Sequence, residues 1–185
     1  MALSPSDIVW YLTGATSDGG SQSDPNQSLG NYRSSTEFVS DSIENLFDNV
    51  DSTEAQNGDT EYRCVCIKNT GSSTWSDVKF YINSVTPSPD TSIQFAVEVP
   101  TGSDTAGHAQ TIANESTAPT VGSGNVSSWS TATTYASGVG VDQGSHDANL
   151  DAGEIVFLWI KRVVSSNASA YSNDYVSITA RGTTS

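Results

Sequence analysis

Short apolar runs separated by stretches of Gly, Ser, Thr, Asn and Asp set the rhythm of this chain, and most of the runs alternate with period two. Such alternation places apolar side chains on one face of a β-strand. In residues 60–69, Tyr62, Cys64 and Cys66 face one way and Val65 and Ile67 the other. Apolar residues on both faces predict a central strand covered on both sides. Val78, Phe80 and Ile82 alternate with Asp77, Lys79, Tyr81 and Asn83. Ile93, Phe95 and Val97 alternate with Gln94, Ala96 and Glu98 until Pro100 ends the run. Residues 154–164 carry the strongest strand signal, and Val176, Ile178 and Ala180 predict the inward face of a last strand. Near the start, "DIVWYLT" reads as a strand or an anchoring peptide. Strands of this length with turns between them predict an antiparallel β-sandwich.

The remaining segments follow other patterns. Residues 14–36 hold almost no apolar side chains besides Ala15, Leu29 and Tyr32. They cannot bury enough surface to offset their own ordering entropy, so they predict a mobile loop or an extended arm ordered by a partner. In residues 37–50, Ile43, Leu46, Phe47 and Val50 have helical spacing, and Asp41 with Glu44 could cap a short helix. A strand through "NLFDNV" is the alternative. Residues 51–59 read as a turn around Asn57 and Gly58. Residues 101–148 are loop-like, with weak strand patterns in "AQTIAN" and "NVSSWS".

Composition sharpens the picture. The chain has 185 residues, which fits one domain or one domain plus an arm. Seven basic residues face twenty-one acidic ones, a formal net charge of −14. Such a surface repels phosphate backbones and anionic membranes, so neither nucleic acid nor membrane is an expected partner. The N-terminal stretch lacks a basic region followed by an apolar core, so no leader is expected and synthesis in the cytoplasm is. Cys64 and Cys66, the two cysteines, share a strand face and are expected to be buried free thiols.

Candidate chemistry is sparse. His108 and His146 lie in Gly/Ser/Asp-rich sequence, and no nucleophile elbow, metalloprotease motif or phosphate loop occurs. The expectation is a protein without catalytic residues or cofactor. "HDANLDAGE" spaces Asp147, Asn149 and Asp151 like the start of a calcium loop, but Ala152 and Leu158 occupy the positions of the required Gly and Glu. Asp147, Asp151 and Glu154 remain as a looser oxygen set. The run Asp48, Asp51, Glu54, Asp59 and Glu61 reads as a solvated acidic face. Trp75 is an expected plug at a hairpin end, while Trp129 and Tyr135 are candidate glycan contacts.

Two resemblances add expectations. "EYRCVCIKNTGSSTWSDVKFYI" and the later "LDAGEIVFLWI" resemble immunoglobulin-like β-sandwich modules of bacteria and archaea. That likeness implies a hairpin turned by Asn69 and Gly71, a Leu150 plug and a bend at Gly153. Separately, "YLTGATSDGGSQSDPNQSLGNYRSST", "NGDTEYRCVCIKNTG", "TPSPDTSIQFAVE" and "ASAYSNDYVSITARGTT" resemble small structural proteins encoded among the virion genes of tailed bacteriophages. This second likeness implies a head-decorating or cement protein that binds the major capsid protein or other virion proteins and resides in the virion, as a homo-oligomer on the particle. Alternatives are a neck, tail or baseplate component, or a glycan-binding adhesion module. The organisation expected is an N-terminal strand and arm over residues 1–40 and an all-β, antiparallel, immunoglobulin-like β-sandwich over 41–185. In the arm, Trp10, Tyr11, Leu29, Tyr32 and Arg33 are the expected partner contacts.

Overall fold

A computed structural model describes residues 3–42, 44–84, 88–171 and 174–184. The fold is all-β and antiparallel. Its strands are β1 (Ile8–Ala15), β2 (Gly30–Glu37), β3 (Asp59–Asn69), β4 (Trp75–Ser84), β5 (Thr91–Glu98), β6 (His108–Thr111), β7 (Val139–Gly140), β8 (Ile155–Val164) and β9 (Ser177–Thr184). A strongly curled six-stranded sheet, in the order β5-β8-β3-β1-β2-β6, opposes a three-stranded sheet in the order β7-β4-β9. β3 and β8 form its spine, paired without a break from Asp59↔Val164 to Lys68↔Ile155.

The two faces of β3 divide the core as the alternation requires. Val65 and Ile67 join Phe80, Val78, Phe95, Leu150 and Leu158 between the sheets. Tyr62, Cys64 and Cys66 lie on the other face with Phe157 and Trp159, beneath the loops of residues 112–129. Leu150 is fully buried and bridges Trp75, and Gly153 at φ 87 turns the chain toward β8. The expected hairpin is corrected, however. β3 and β4 belong to different sheets, so the turn at Asn69 and Gly71 carries the chain across the core. Asn69 holds that crossing by donating to Ser73 and Leu150 carbonyls, both at 2.8 Å.

Residues 14–36 also differ from the expectation of an arm. β2 sits inside the six-stranded sheet between β1 and β6, and the loop before it is fastened by polar groups. Thr13 Oγ1 donates to the Cys64 carbonyl at 2.9 Å and accepts from Gly30 N at 3.2 Å. Cys64 N donates to the Ser28 carbonyl at 2.8 Å, just beyond Leu12↔Val65, the last β1–β3 pair. Arg33 grips Asp18 through two bonds of 2.9 and 3.0 Å. Each charge-assisted or buried bond of this kind offsets ordering entropy that apolar burial does not cover.

The 41–50 segment is neither of the alternatives read from its sequence. Its described residues form turns and bends, and Ile43 lies outside them. Asp41 and Glu44 take φ of 59° and 55°, which a helix start cannot use. The helix comes later: α1 (Ser52–Asn57) replaces the expected turn. Asp51 Oδ1 accepts from Thr53 N and Glu54 N, Glu54 Oε2 accepts from Asp51 N, and Gly58 closes the end. This reciprocal cap satisfies free N–H groups of the first turn.

Two carboxylates are buried. Glu98 accepts from Trp159 Nε1 at 2.6 Å and Gln110 N at 2.8 Å, and burial raises its pKa above the ordinary 4.5. Glu61, expected on a solvated face, is instead 1 % exposed between Arg162 and Arg63, and burial raises it too. A raised carboxyl binds its proton more tightly folded than unfolded. Stability from these groups therefore falls as pH rises from about 4.5 through the folded values. Crowded negative charge acts in the same direction. Calorimetry is expected to give a higher Tm at about pH 5 than at about pH 8, and the reverse order would contradict this burial account.

Cys64 and Cys66 are free and fully buried, and desolvation pushes both thiols well above their usual range. A thiol reagent at neutral pH is expected to label neither in the folded chain and both in denaturant. Rapid native labelling at the unfolded rate would contradict the covered outer face of β3.

Candidate functional site

Curling opens the layers along one side. There a groove of about 2300 Å³ runs between the start of β1, the bends of residues 38–50, the ends of β5 and β8, and β9. Its volume exceeds the range of roughly 300–1,000 Å³ usual for small-molecule pockets. Trp10, Phe38, Phe47, Ile93, Val176 and Ile178 line it as half-buried side chains that continue the core outward. Trp10 is fixed edge-on against Phe80, with centroids 6.1 Å apart. Val50, Tyr171 and Tyr175 extend the apolar lining to the rim, and Val39 stands beside it. Val39 is 65 % exposed and Tyr175 61 %, so large apolar surface meets water here.

The groove is also acidic. Glu37, Asp41, Glu44, Asp48, Asp51 and Asp174 line it, against Arg162 and Arg181. Arg162 is engaged: its Nε donates to Glu61 at 2.6 Å and its Nη1 to the Asp48 carbonyl at 2.7 Å. Phe47 lies over the Arg162 guanidinium at 4.9 Å and near that of Arg63 at 5.5 Å. Arg63, fully buried, donates to Glu115 and to Asn26 Oδ1. This ion cluster anchors residues 44–50 over β8 and β3, shaping one groove wall.

The residues singled out from sequence are scattered. Trp10 lines the groove. Tyr11 lies under the Arg33 guanidinium at 4.8 Å, Leu29 packs against the outer-face core, and Tyr32 meets His108 edge-on at 5.2 Å. Thus Tyr11, Leu29, Tyr32 and Arg33 bind within the chain. Trp129 stacks obliquely on Tyr62 with Lys161 over its ring, on the six-stranded sheet. Tyr135 donates to the carbonyl and Oδ2 of Asp77 beside the three-stranded sheet, with Lys79 and Arg181 against its ring. These two aromatics do not form one platform.

The loop of residues 147–154 uses its carboxylates locally. Asp147 Oδ1 accepts from Asn149 N at 2.8 Å, and Glu154 Oε2 accepts from Asp151 N at 2.7 Å. Asp151 Oδ1 accepts from Thr74. Among the described residues no group of three or more His, Cys, Asp or Glu is arranged to hold a metal ion. The groove residues missed from sequence are Tyr171 and Tyr175, together with Val39 beside the rim. Their signal was an isolated large apolar side chain in a polar connector. Compared with known proteins, the chain matches no family model, no curated protein and no solved structure.

Proposed function

We propose that this protein is a non-enzymatic structural component of a tailed-phage virion, made in the host cytoplasm, that decorates or cements the assembled head. The observation carrying the reading is the open apolar groove with exposed Val39, Val50, Tyr171 and Tyr175 at or beside its rim. A surface of that size and character suits a macromolecular neighbour. The runs that resemble phage virion proteins supply the class of neighbour: the major capsid protein or another particle protein, with copies of this chain arrayed on the particle. The acidic surface favours a protein partner over nucleic acid or an anionic membrane. An immunoglobulin-like relationship is the finer fold reading, supported by the Leu150 plug and the Gly153 bend.

The test compares particles assembled with and without the protein. Heads lacking it are expected to release their contents at lower temperature, with resistance restored on adding it back. Equal heat resistance with no binding to heads overturns the cement role. Sedimentation of the protein with tails alone selects the neck, tail or baseplate position.

A further inference from the structure

We propose that β9 presents a free strand edge that captures an extended, lysine- or arginine-bearing segment of a neighbouring protein by strand addition. The backbone geometry locates the edge. Val78 and Ile82 direct their N–H groups away from β9, to the carbonyls of Ala148 and Ala132 at 2.9 and 2.8 Å. The Val78 carbonyl also points that way, accepting from Val141 N at 3.2 Å. N–H and C=O of one residue share a side in an antiparallel strand, and the side alternates along it. Val78, Phe80 and Ile82 therefore face β7, while Lys79 and Tyr81 face β9.

Register carries the alternation across. Ile178 opposes Ile82 and Ala180 opposes Phe80. Both are non-hydrogen-bonded pairs, so the N–H and C=O groups of Ile178 and Ala180 point away from β4, toward the edge with no described neighbouring strand. No described strand pairs there, and Ile178, Ala180 and Gly182 all line the groove. Natural edges are usually blunted by lysine, proline or a bulge. Between the irregularities that flank it, the stretch Ile178, Thr179, Ala180 and Arg181 contains neither lysine nor proline. Arg181 lies against the Tyr135 ring at 5.0 Å.

Charge selects the occupant. Six carboxylates line the groove against two arginines, one of them already paired with Glu61. A second copy of a chain with net charge −14 would bring more negative charge to that rim. An added strand places alternate side chains on opposite faces. Apolar residues would cover Trp10, Phe38 and Ile178, and cationic ones would meet the exposed acids.

This inference rests on the virion reading only for the identity of the neighbour, and its test is separable. The probe is a blocked peptide of about ten residues alternating valine and lysine, with a valine–glutamate peptide as control. Amide hydrogen exchange, resolved residue by residue, is expected to slow at least about tenfold at Ile178 and Ala180 with the cationic peptide and to stay unchanged with the acidic one. Ala180→Pro removes an outward N–H and leaves the bonds to β4. It is expected to weaken the cationic peptide at least about tenfold with its Tm little changed. Should that variant fail to fold, a peptide N-methylated at alternate residues replaces it, and undiminished binding of that peptide overturns the proposal.

Undiminished binding to A180P, or protection elsewhere with these two amides unaffected, also overturns it. Protection in the free protein that grows with its own concentration assigns the edge to a second copy and overturns the cationic partner. If the protein is present in purified particles but the peptide fails, strand addition falls alone. If the peptide protects β9 but particles lack the protein, the virion reading falls alone.

Discussion

Gly30→Ala is expected to destabilise the protein by about 3 kcal/mol or more, combining left-handed backbone strain with overpacking. Gly30 opens β2 at φ 88. A Cβ there would lie 1.8 Å from the Gln110 carbonyl oxygen and 3.0 Å from the Trp159 ring. Both obstacles belong to ordered elements: β6, which pairs with β2, and the buried indole bonded to Glu98. The strand must separate from β6 to relieve the first contact, and the indole must give to relieve the second. At this chain length a 3 kcal/mol loss lowers Tm by about 6–12 °C. Thermal unfolding decides the matter. If residues 14–36 were a loose arm, the substitution would cost under about 0.5 kcal/mol, as at an ordinary surface position.

Arg162→Ala is the second large effect, expected to cost about 3–5 kcal/mol because it strands a buried carboxylate. Glu61 accepts from Arg162 Nε, while Arg63 approaches its other oxygen only to 3.7 Å. Among the described residues Glu61 Oε1 and Arg63 Nε find no hydrogen-bond partner, so the cluster is already incompletely satisfied before Arg162 is removed. Arg162 also holds the Asp48 carbonyl and supports Phe47, so its loss should release residues 44–50 and deform the groove. Replacing the pair together, Glu61→Leu with Arg162→Met, should recover more than half of the lost stability, since a buried ion pair is roughly exchangeable for apolar packing. Denaturant unfolding of the single and double variants reads this directly. A double variant less stable than Arg162→Ala would contradict it.

Strands with period-two alternation were legible: the opposite faces of β3, the inward residues of β4 and β9, and the buried run of β8 are all visible in their side chains. β2 was not, because Asn31, Arg33 and Ser35 carry no apolar period. Its place depends on buried hydroxyls of Thr13 and Ser28 and on the Arg33–Asp18 pair. The helix cap was written in Asp51 and Glu54, but six residues whose one apolar member is Ala55 offer no amphipathic stripe to distinguish a short helix from a turn. Glu61 resembled its acidic neighbours because its partner Arg162 lies on β8, about a hundred residues away in sequence. The candidate groove was hidden for a related reason. Alternation shows which face of β9 turns inward, but only strand order shows that no described strand pairs along its far edge.

On the proposed reading, this protein acts by occupying a place on a particle through its surface. Absolute quantification by mass spectrometry on gradient-purified particles tests it most directly. The expected result is a copy number in fixed, near-stoichiometric ratio to the major capsid protein, retained through repeated purification. Complete absence from purified particles, with all of the protein left free in the lysate, would contradict the account.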